Sequence, residues 1–310
     1  MATKISNELF SWVPSEREQF KCKGCAVCGA KGCIGQLPGM GGVNCSSTFS
    51  LNCLAWDDFY NKSSCSVQSQ IDSIKVSPDQ IAVAPVTGAN QNIGFANEKD
   101  FYLPYFGAAL ESGIGICVGD GAPDEKLQFG YEAVCSLNTK AYYFFKPYPD
   151  DILQKRISLV KDTAIAIGMD IDAYNIITMR NQVCLEYKTG EQIKAFRESS
   201  GLPLMLKGIF SERDVGLCSD TKPDICVVSN HGGRVDTQNM SSLEFLLKNA
   251  EALSMSCGEV WVDGGIRTKR HIQTALYLGA SKVLIARGFI SRLIKGGVKS
   301  MVEYAASLYN

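Results

Sequence analysis

Eight short apolar runs, separated by helix-length amphipathic stretches, set the strongest limit on how this chain folds. The runs are residues 81–86, 113–118, 141–145, 164–169, 202–206, 225–228, 259–262 and 282–285. Helical candidates lie between them at residues 99–111, 124–136, 150–162, 188–199, 211–220, 241–256 and 268–278. Such alternation predicts a parallel sheet with helical crossovers. Eight repeats of this unit predict a closed (β/α)8 barrel.

An open doubly wound sheet also alternates strands and helices, so it is the alternative fold for this pattern. Two features favour the barrel. Polar or glycine-rich residues follow nearly every run, and no G-x-G-x-x-G motif follows the first one. We therefore predict an α/β protein with a TIM barrel over residues 78–310, preceded by an N-terminal extension over residues 1–77.

The charge balance indicates a small-molecule partner. The chain has 31 Lys plus Arg residues against 32 Asp plus Glu residues, which gives no electrostatic reason to bind nucleic acid or an anionic membrane surface. No apolar run approaches the roughly 20 residues that span a bilayer. The first 25 residues are charged and lack a long apolar core, so we expect no signal peptide and a cytoplasmic protein.

A cysteine run in the extension is a candidate metal site. Cys22, Cys25, Cys28 and Cys33 are spaced C-x2-C-x2-C-x4-C within a glycine-rich stretch. Four thiolates at such spacing suit tetrahedral zinc or an iron–sulfur cluster, and the pattern does not choose between them. The thirteen cysteines are an odd number, and thiols stay reduced inside cells, so metal is favoured over disulfides. Free structural thiols remain the alternative.

The stretch from Ser229 to Arg234, with sequence SNHGGR, follows the sixth run directly. In parallel α/β folds the chemistry lies just past the carboxyl ends of strands. His231 can exchange a proton near neutral pH, and Arg234 can hold a carboxylate by two parallel hydrogen bonds. Gly232 and Gly233 allow the backbone to approach a flat ligand. The alternative is a turn whose histidine only satisfies local hydrogen bonds.

The seventh and eighth runs are followed by glycines and arginines. Asp263-Gly264-Gly265-Ile266-Arg267 follows the seventh run, and Ala286-Arg287-Gly288 follows the eighth. In barrels these two adjacent loops commonly form a phosphate-binding corner. The sequence therefore predicts a cofactor with a phosphate tail and a ring over the barrel mouth.

Four motifs together resemble one family. They are VVSNHGGR at residues 227–234, LKGI at 206–209, DGGIR at 263–267 and AL-x-LGA at 275–280. Over roughly residues 78–290 the chain is similar to the FMN-dependent 2-hydroxy-acid oxidases and dehydrogenases, which include glycolate and lactate oxidases. With the cysteine run, PGMGG at 38–42, GDG at 119–121 and GMDID at 168–172, it resembles the branch known as α-hydroxy-acid oxidising proteins.

The resemblance implies oxidation of a small L-2-hydroxy acid to the 2-oxo acid, with FMN as cofactor. His231 would be the base, with Asp170 stabilising its protonated form, and Arg234 would hold the substrate carboxylate. Tyr148 would contact the substrate, as would Arg180. A homo-oligomer of the tetrameric type is implied, and the electron acceptor stays open. The implied cofactor-binding residues are Pro85, Thr87, Gly119, Lys146, Lys207, Ser229, Asp263, Gly265, Arg267, Arg287 and Gly288, with Lys207 at the N1 and O2 edge of the flavin.

The chain departs from the family pattern at several positions. Gly119 replaces Ser or Thr, Lys146 replaces Gln, Gly168 replaces Thr and Ala286 replaces Gly. An inward-pointing Lys146 would raise the flavin potential, and the Ala286 methyl would crowd a phosphate. Only about twenty residues follow Gly288, so we expect a short eighth helix.

Two other functions fit parts of the sequence. One is an FMN barrel with a different reaction, as in type 2 isopentenyl-diphosphate isomerase, although that chemistry has no carboxylate for Arg234 to hold. The other is a non-catalytic metal-binding or redox-sensing module, in which the cysteine run is the working part and the barrel is a scaffold.

Overall fold

The eight predicted runs form eight parallel strands that close into a barrel in sequence order, in a computed structural model that describes residues 5–14, 47–93, 95–176, 183–235 and 239–310. The TIM-barrel prediction is confirmed. The strands are β1 Ile81–Val86, β2 Gly115–Gly119, β3 Ala141–Phe145, β4 Ala164–Asp170, β5 Leu204–Ile209, β6 Ile225–Val228, β7 Glu259–Asp263 and β8 Lys282–Ile285.

Alternation along the strands separates two cores. Side chains of one parity fill the barrel interior, where Phe144, Met205 and Trp261 are fully buried. Those of the other parity, such as Val83 and Tyr143, pack against the surrounding helices. Because successive strand residues point to opposite faces, the buried strands of a barrel have apolar residues at nearly every position.

The helices surround the barrel and also precede it. They are α1 Asn7–Phe10, α2 Ser47–Lys62, α3 Cys65–Ser73, α4 Tyr102–Glu111, α5 Glu125–Ser136, α6 Asp150–Val160, α7 Gly190–Ser200, α8 Glu212–Thr221, α9 Ser242–Ser254, α10 Lys269–Tyr277 and α11 Arg287–Tyr309. Capping boxes start α7 at Thr189 and α9 at Ser241, where the side chains of Gln192 and Glu244 complete them.

The last helix differs from the expected short one. Helix α11 runs for 23 residues, from Arg287 to Tyr309, and is broken only at Gly296 and Gly297. Gly297 has φ +69°, and a Cβ there would overlap the backbone carbonyl of Trp12. The N-terminal segment thus packs against the break, where Trp12 accepts a hydrogen bond from the Val298 amide. The helix begins at Arg287, a residue of the predicted phosphate corner, and uses nearly every residue after β8.

The predicted metal ligands Cys22, Cys25, Cys28 and Cys33 lie outside the described residues. Within the described ranges, no group of three or more His, Cys, Asp and Glu side chains is arranged to hold a metal ion. None of the helices in those ranges is long and apolar enough to cross a membrane.

Candidate active site

A cavity opens where the carboxyl ends of β1, β5, β6, β7 and β8 meet. It encloses about 750 Å3 of space, counting its open mouth. Its walls bring together predicted site residues from five strand ends. Those predicted residues are Pro85, Lys207, His231, Arg234, Asp263, Gly265, Arg267 and Arg287. The remaining walls are mostly apolar, with Ala84, Ile93, Ile266, Leu284 and Ile290 among them.

His231 is held by contacts on both of its ring nitrogens. Its Nδ1 lies 2.6 Å from Oδ2 of Asp172. Its Nε2 lies 3.3 Å from Nζ of Lys207 and 3.4 Å from Oδ2 of Asp170. A carboxylate can only accept a hydrogen bond, so Nδ1 carries the proton of the neutral ring and Nε2 presents a lone pair. The backbone of His231 has φ +51°, which is uncommon outside glycine.

The local backbone explains why Asp172 reaches the imidazole. Strand β4 ends at Asp170, and a 3-10 turn over Ile171–Asn175 carries Asp172 over the β5 backbone. Gly208 has φ +96°, and a Cβ on it would overlap the Asp172 carboxylate. Position 208 therefore needs glycine both for its conformation and for the space that Asp172 occupies. The family resemblance implies that Asp170 stabilises the protonated form of His231. In the structure the carboxylate closer to the imidazole is that of Asp172.

Asp170 is instead the centre of an ion-pair cluster. Its Oδ2 lies 2.5 Å from Nζ of Lys146, and its Oδ1 lies 3.4 Å from Nζ of Lys207. Burial alone would raise the pKa of Asp170, but the two lysines and His231 hold it well below its usual range. Burial likewise opposes the charge of Lys207, yet Asp170 and Asp263 raise the pKa of its ammonium group. Lys146 thus points inward, and its charge is paired with Asp170.

The loop after β6 is fixed by its own hydrogen bonds. Arg234 donates from Nε to the backbone carbonyl oxygen of His231 at 3.0 Å, which fixes the guanidinium against this loop. Ser229 donates from Oγ to Oδ2 of Asp263 at 2.9 Å, joining the ends of β6 and β7. Burial lowers the pKa of Arg234, with Asp263 opposing the shift. An arginine remains charged at any ordinary pH, so the cavity contains a desolvated cation.

Helix α2, from the N-terminal extension, packs against the loops of the predicted phosphate corner. Trp56 donates from Nε1 to the carbonyl oxygen of Gly264 at 2.8 Å, and the Phe49 ring lies 4.2 Å from the guanidinium of Arg287. A Cβ on Gly265 would overlap the carbonyl oxygen of Asn52, so only glycine fits beneath this helix. The extension is therefore packed directly against the loops after β7 and β8.

Asn52 on the same helix connects α2 to the loop that carries His231. It donates from Nδ2 to Oδ1 of Asn230 at 2.8 Å, and its Oδ1 accepts from Nδ2 of Asn230 at 3.1 Å. Its Oδ1 also accepts from the Ser242 amide at 2.9 Å, at the start of α9. Sequence reasoning missed Asn52. The signal that could have found it is helical spacing, because Phe49, Asn52 and Trp56 recur at intervals of three and four and are all buried.

Among the predicted residues that do not line this cavity are Tyr148, Gly288, Thr87 and Gly119. Tyr148 is buried and packs 5.3 Å from the Arg156 guanidinium, which is ion-paired with Asp120. A Cβ on Gly288 would meet the Tyr304 hydroxyl at 2.6 Å. Thr87 and Gly119 lie against each other at the ends of β1 and β2. Arg180 lies outside the described residues.

The structure accounts for two of the departures from the family pattern. At Gly168 a Cβ would meet Phe144 Cδ1 at 2.8 Å and Met205 Cβ at 2.9 Å, so the Phe144 ring takes the space that a larger residue would need. At Gly119 a Cβ would lie 3.0 Å from the Pro85 carbonyl oxygen. Ala286 lies in the cavity wall.

The donor set fits flavin mononucleotide. The cavity holds four cationic side chains, and three of them, Lys207, Arg267 and Arg287, suit a phosphate dianion and the electron-rich edge of a flavin. Asp263 has a buried Oδ1 for which the described residues supply no hydrogen-bond donor. A hydroxyl of a ribityl chain would satisfy that oxygen. Apolar walls beside these groups suit a flat ring.

A TIM barrel whose mouth carries this donor set fits a flavin-binding barrel, and the comparisons give its family. The chain matches the FMN-dependent dehydrogenase family over residues 148–310. The chain belongs to that family. It is 38% identical over 121 residues to 4-hydroxymandelate oxidase of Amycolatopsis orientalis, covering 38% of this chain and 34% of that protein. It is 34% identical over 118 residues to L-lactate oxidase of Lactobacillus jensenii, covering 38% and 29%.

These matches span about a third of the length of the curated relatives. The fold is similar over a longer stretch. A mandelate oxidase variant solved with (S)-mandelic acid aligns with a TM-score of 0.65 at 22% identity, covering 89% of this chain and 90% of that one. Mandelate oxidase solved with benzoyl-formic acid aligns with a TM-score of 0.61 at 23% identity, covering 89% and 90%. At such identity the similarity shows the fold.

Proposed function

We propose that the protein oxidises a small L-2-hydroxy acid to the corresponding 2-oxo acid, with FMN as the cofactor. The observation that carries the proposal is the placement of His231 and Arg234 in one cavity with Lys207, Arg267 and Arg287. A base and a carboxylate-binding cation beside a flavin site are what this reaction requires. The names of the relatives, which include 4-hydroxymandelate oxidase and L-lactate oxidase, support the same substrate class.

In this mechanism Arg234 binds the substrate carboxylate and fixes its orientation. His231 takes the proton of the 2-hydroxyl group at Nε2, because Nδ1 is committed to Asp172. FMN, which Lys207, Arg267 and Arg287 would hold, would supply the two-electron acceptor for the oxidation at C2. Asp172 on one side and Asp170 on the other stabilise the imidazolium that forms. Asp172 thus acts as a positioning residue for the base, in addition to the role that the resemblance gave Asp170.

The lysines provide fixed charge in the same site. We infer that Lys207 would lie at the N1 and O2 edge of bound FMN, where its charge would stabilise the negative charge of the reduced ring. Asp170 neutralises part of the charge of Lys146 and Lys207, so the cluster raises the flavin potential less than two unpaired lysines would. Pro85, Thr87, Gly119, Ser229, Asp263, Gly265 and Gly288 complete the proposed cofactor-binding set, with Arg267 and Arg287 at the phosphate.

The test is anaerobic reduction of the bound flavin. Purified protein should be yellow and contain FMN, and at least one acid from a panel of glycolate, L-lactate and (S)-mandelate should bleach the flavin. Arg234→Lys keeps the charge but loses the paired hydrogen bonds, so the substrate concentration for half-maximal bleaching should rise about 100-fold. Dithionite should bleach the wild type and the variant equally.

Two outcomes would overturn the proposal. A flavin-loaded protein that dithionite bleaches but no 2-hydroxy acid reduces would exclude the substrate class and favour a different flavin reaction. Protein that binds no FMN would exclude the mechanism altogether.

We also propose, from spacing alone, that Cys22, Cys25, Cys28 and Cys33 bind zinc or an iron–sulfur cluster. Metal analysis of freshly purified protein, together with its absorption spectrum, distinguishes zinc, iron–sulfur and no metal. The family resemblance further leads us to propose a homo-oligomer, which sedimentation analysis would test.

A further inference from the structure

Three thiols come together on the outer side of the barrel, at a point where no catalytic role is proposed. Cys226 lies on β6, Cys218 on α8, and Cys257 on the turn between α9 and β7. The Sγ atoms of Cys226 and Cys257 are 3.1 Å apart. Cys218 is a further neighbour of the Cys226 thiol. None of these three cysteines lines the cavity.

The strand pattern explains why Cys226 faces away from the cavity. Ile225 and Val227 belong to the core inside the barrel, whereas Cys226 and Val228 belong to the core between the barrel and its helices. Cys226 pairs in register with Val260 on β7, and Cys257 comes three residues before that position. The Cys257 amide donates to the Leu253 carbonyl oxygen at the end of α9. The turn after α9 thereby brings the Cys257 sulfur against β6.

We propose that Cys226 and Cys257 form a peroxide-reactive dithiol site that closes to an intramolecular disulfide. The sulfurs already touch, so bond formation needs a further approach of about 1 Å to the ~2.05 Å of a disulfide. Cys257 is half-buried and Cys226 is fully buried, so solvent reaches the pair through Cys257. The disulfide would connect the N-terminal end of β6 to the turn before β7.

The distance favours a disulfide over a metal site. Two thiolates on one tetrahedral zinc lie about 3.8 Å apart, as Zn–S bonds of ~2.3 Å require. The observed separation of 3.1 Å is clearly shorter. The described part of the chain also has no group arranged for a metal ion.

The electrostatics give the two sulfurs different parts in the reaction. The hydrogen bond with Cys226 lowers the pKa of the Cys257 thiol, whereas hydrogen bonds with its cysteine neighbours raise the pKa of Cys226. Cys257 is therefore the attacking thiolate and Cys226 the resolving thiol.

The balanced chemistry has two steps, with hydrogen peroxide as the oxidant. The Cys257 thiolate attacks one peroxide oxygen, the O–O bond breaks, and Cys257 sulfenic acid and hydroxide form. The Cys226 sulfur then attacks the sulfenic sulfur, which forms the S–S bond and breaks the S–O bond. The Cys226 proton leaves with the departing oxygen as water. In total, two thiols and one peroxide give one disulfide and two waters.

Peptide mapping of the intact protein tests the site. Trypsin should release residues 214–234, which contain Cys218 and Cys226, and residues 249–267, which contain Cys257. Native protein is treated with hydrogen peroxide, and its remaining thiols are alkylated before digestion. We expect the cross-linked pair of peptides to increase about tenfold over untreated protein and to disappear after reduction. The readout is confined to two peptides, so the other cysteines do not affect it.

Cysteine variants identify the bonded sulfurs. Cys218→Ser should still form the cross-link, whereas Cys226→Ser and Cys257→Ser should not. In Cys226→Ser, Cys257 should accumulate as sulfenic and sulfinic acid, because its resolving thiol is gone.

Three results would overturn the proposal. One is wild-type protein in which Cys257 oxidises without a cross-link. Another is a cross-link that needs Cys218, and the third is a pair of peptides that stay fully alkylated after peroxide treatment. All three are read from the wild type or from Cys218→Ser, so they do not depend on whether the other variants fold.

Discussion

His231 and His271 are the two histidines of the chain, and both are buried beside an aspartate. His271 lies on α10, and its Nε2 is 3.0 Å from Oδ1 of Asp57 on α2. Its Nδ1 accepts a hydrogen bond from the Arg267 amide at 3.2 Å. Both ring nitrogens of His271 are therefore used to connect elements of the fold. His231 uses Nδ1 for Asp172 and presents Nε2 beside Lys207 at the cavity.

The two rings consequently hold opposite tautomers. The Arg267 amide donates to Nδ1 of His271, so the neutral ring carries its proton on Nε2 and donates to Asp57. In His231 the proton is on Nδ1 and the lone pair is on Nε2. Burial and an aspartate partner are common to both residues. The difference that indicates catalysis is the nitrogen that remains for a substrate, and only in His231 does that nitrogen face a cavity.

The largest expected effect is the loss of flavin reduction when His231, but not His271, is replaced. His231→Gln should slow anaerobic flavin reduction by a 2-hydroxy acid about 1,000-fold or more, because no group remains to take the hydroxyl proton. His271→Gln should keep the rate within about tenfold once the protein is saturated with FMN. Stopped-flow measurement of flavin bleaching checks both. Equal losses in the two variants would contradict the distinction.

The second prediction compares the two aspartates. Asp172→Asn can still accept the Nδ1 hydrogen bond but no longer stabilises the imidazolium by charge, so flavin reduction should slow about 100-fold. The matched variant Asp57→Asn should leave the rate of flavin reduction nearly unchanged, as measured by the same stopped-flow experiment.

Imidazole nitrogen shifts in the flavin-free protein give a readout that does not depend on turnover. The wild type should show one histidine protonated on Nδ1 and the other on Nε2, with His271→Gln assigning the signals. Two histidines with the same tautomer would contradict the hydrogen-bond assignment.

The sequence predicted the barrel and most of the cavity wall, because both follow from local pattern. Strand and helix periods are visible within a dozen residues, and the closure of parallel strands then places their carboxyl ends together. The pattern alone thus places Lys207, Asp263 and Arg267 at one mouth of the barrel. The identity of the family needed the motifs themselves, since strand periodicity alone does not specify a cofactor.

The features of the site that the sequence did not predict depend on contacts between distant residues, which no local sequence pattern indicates. Asn52 and Asn230 are 178 residues apart in the chain, and nothing near either one predicts their pairing. The choice of Asp172 over Asp170 follows from a 3-10 turn and the open space above Gly208. Tyr148 packs against Arg156 because that guanidinium is already held by Asp120 and Asp124.

The third prediction concerns the connection between α2 and the His231 loop. Asn52→Ala removes the paired amides and leaves Nδ2 of Asn230 and the Ser242 amide without their buried acceptor, which should lower the free energy of unfolding by about 2 kcal/mol. The control is Asn61→Ala, because Asn61 is exposed on the same helix. This variant should change the free energy of unfolding by less than about 0.5 kcal/mol. Denaturant unfolding of the flavin-free proteins measures both. An equal effect at the two positions would show that α2 is not tied to the loop through Asn52.

The smallest expected effect is the pH dependence contributed by His271. Burial lowers the pKa of His271, and its hydrogen bond to Asp57 offsets only part of that shift. The unfolded chain, with an ordinary histidine pKa of about 6.5, therefore binds more protons than the folded one as the pH falls through this range. The folded state then loses stability on acidification, because ionising a buried neutral imidazole is unfavourable.

His271→Gln lacks this titration but loses the ring contacts, which should cost about 1 kcal/mol at neutral pH. The gap in unfolding free energy between wild type and variant should thus narrow as the pH falls from about 8 to about 5.5. Asp120, whose pKa burial raises to about 6 despite Arg156, contributes a pH dependence of the opposite sign. That contribution is the same in both proteins and cancels in the difference. A gap that widens on acidification would mean that the folded protein holds His271 protonated, as an ion pair with Asp57, and the two histidines would then differ in charge as well as in tautomer.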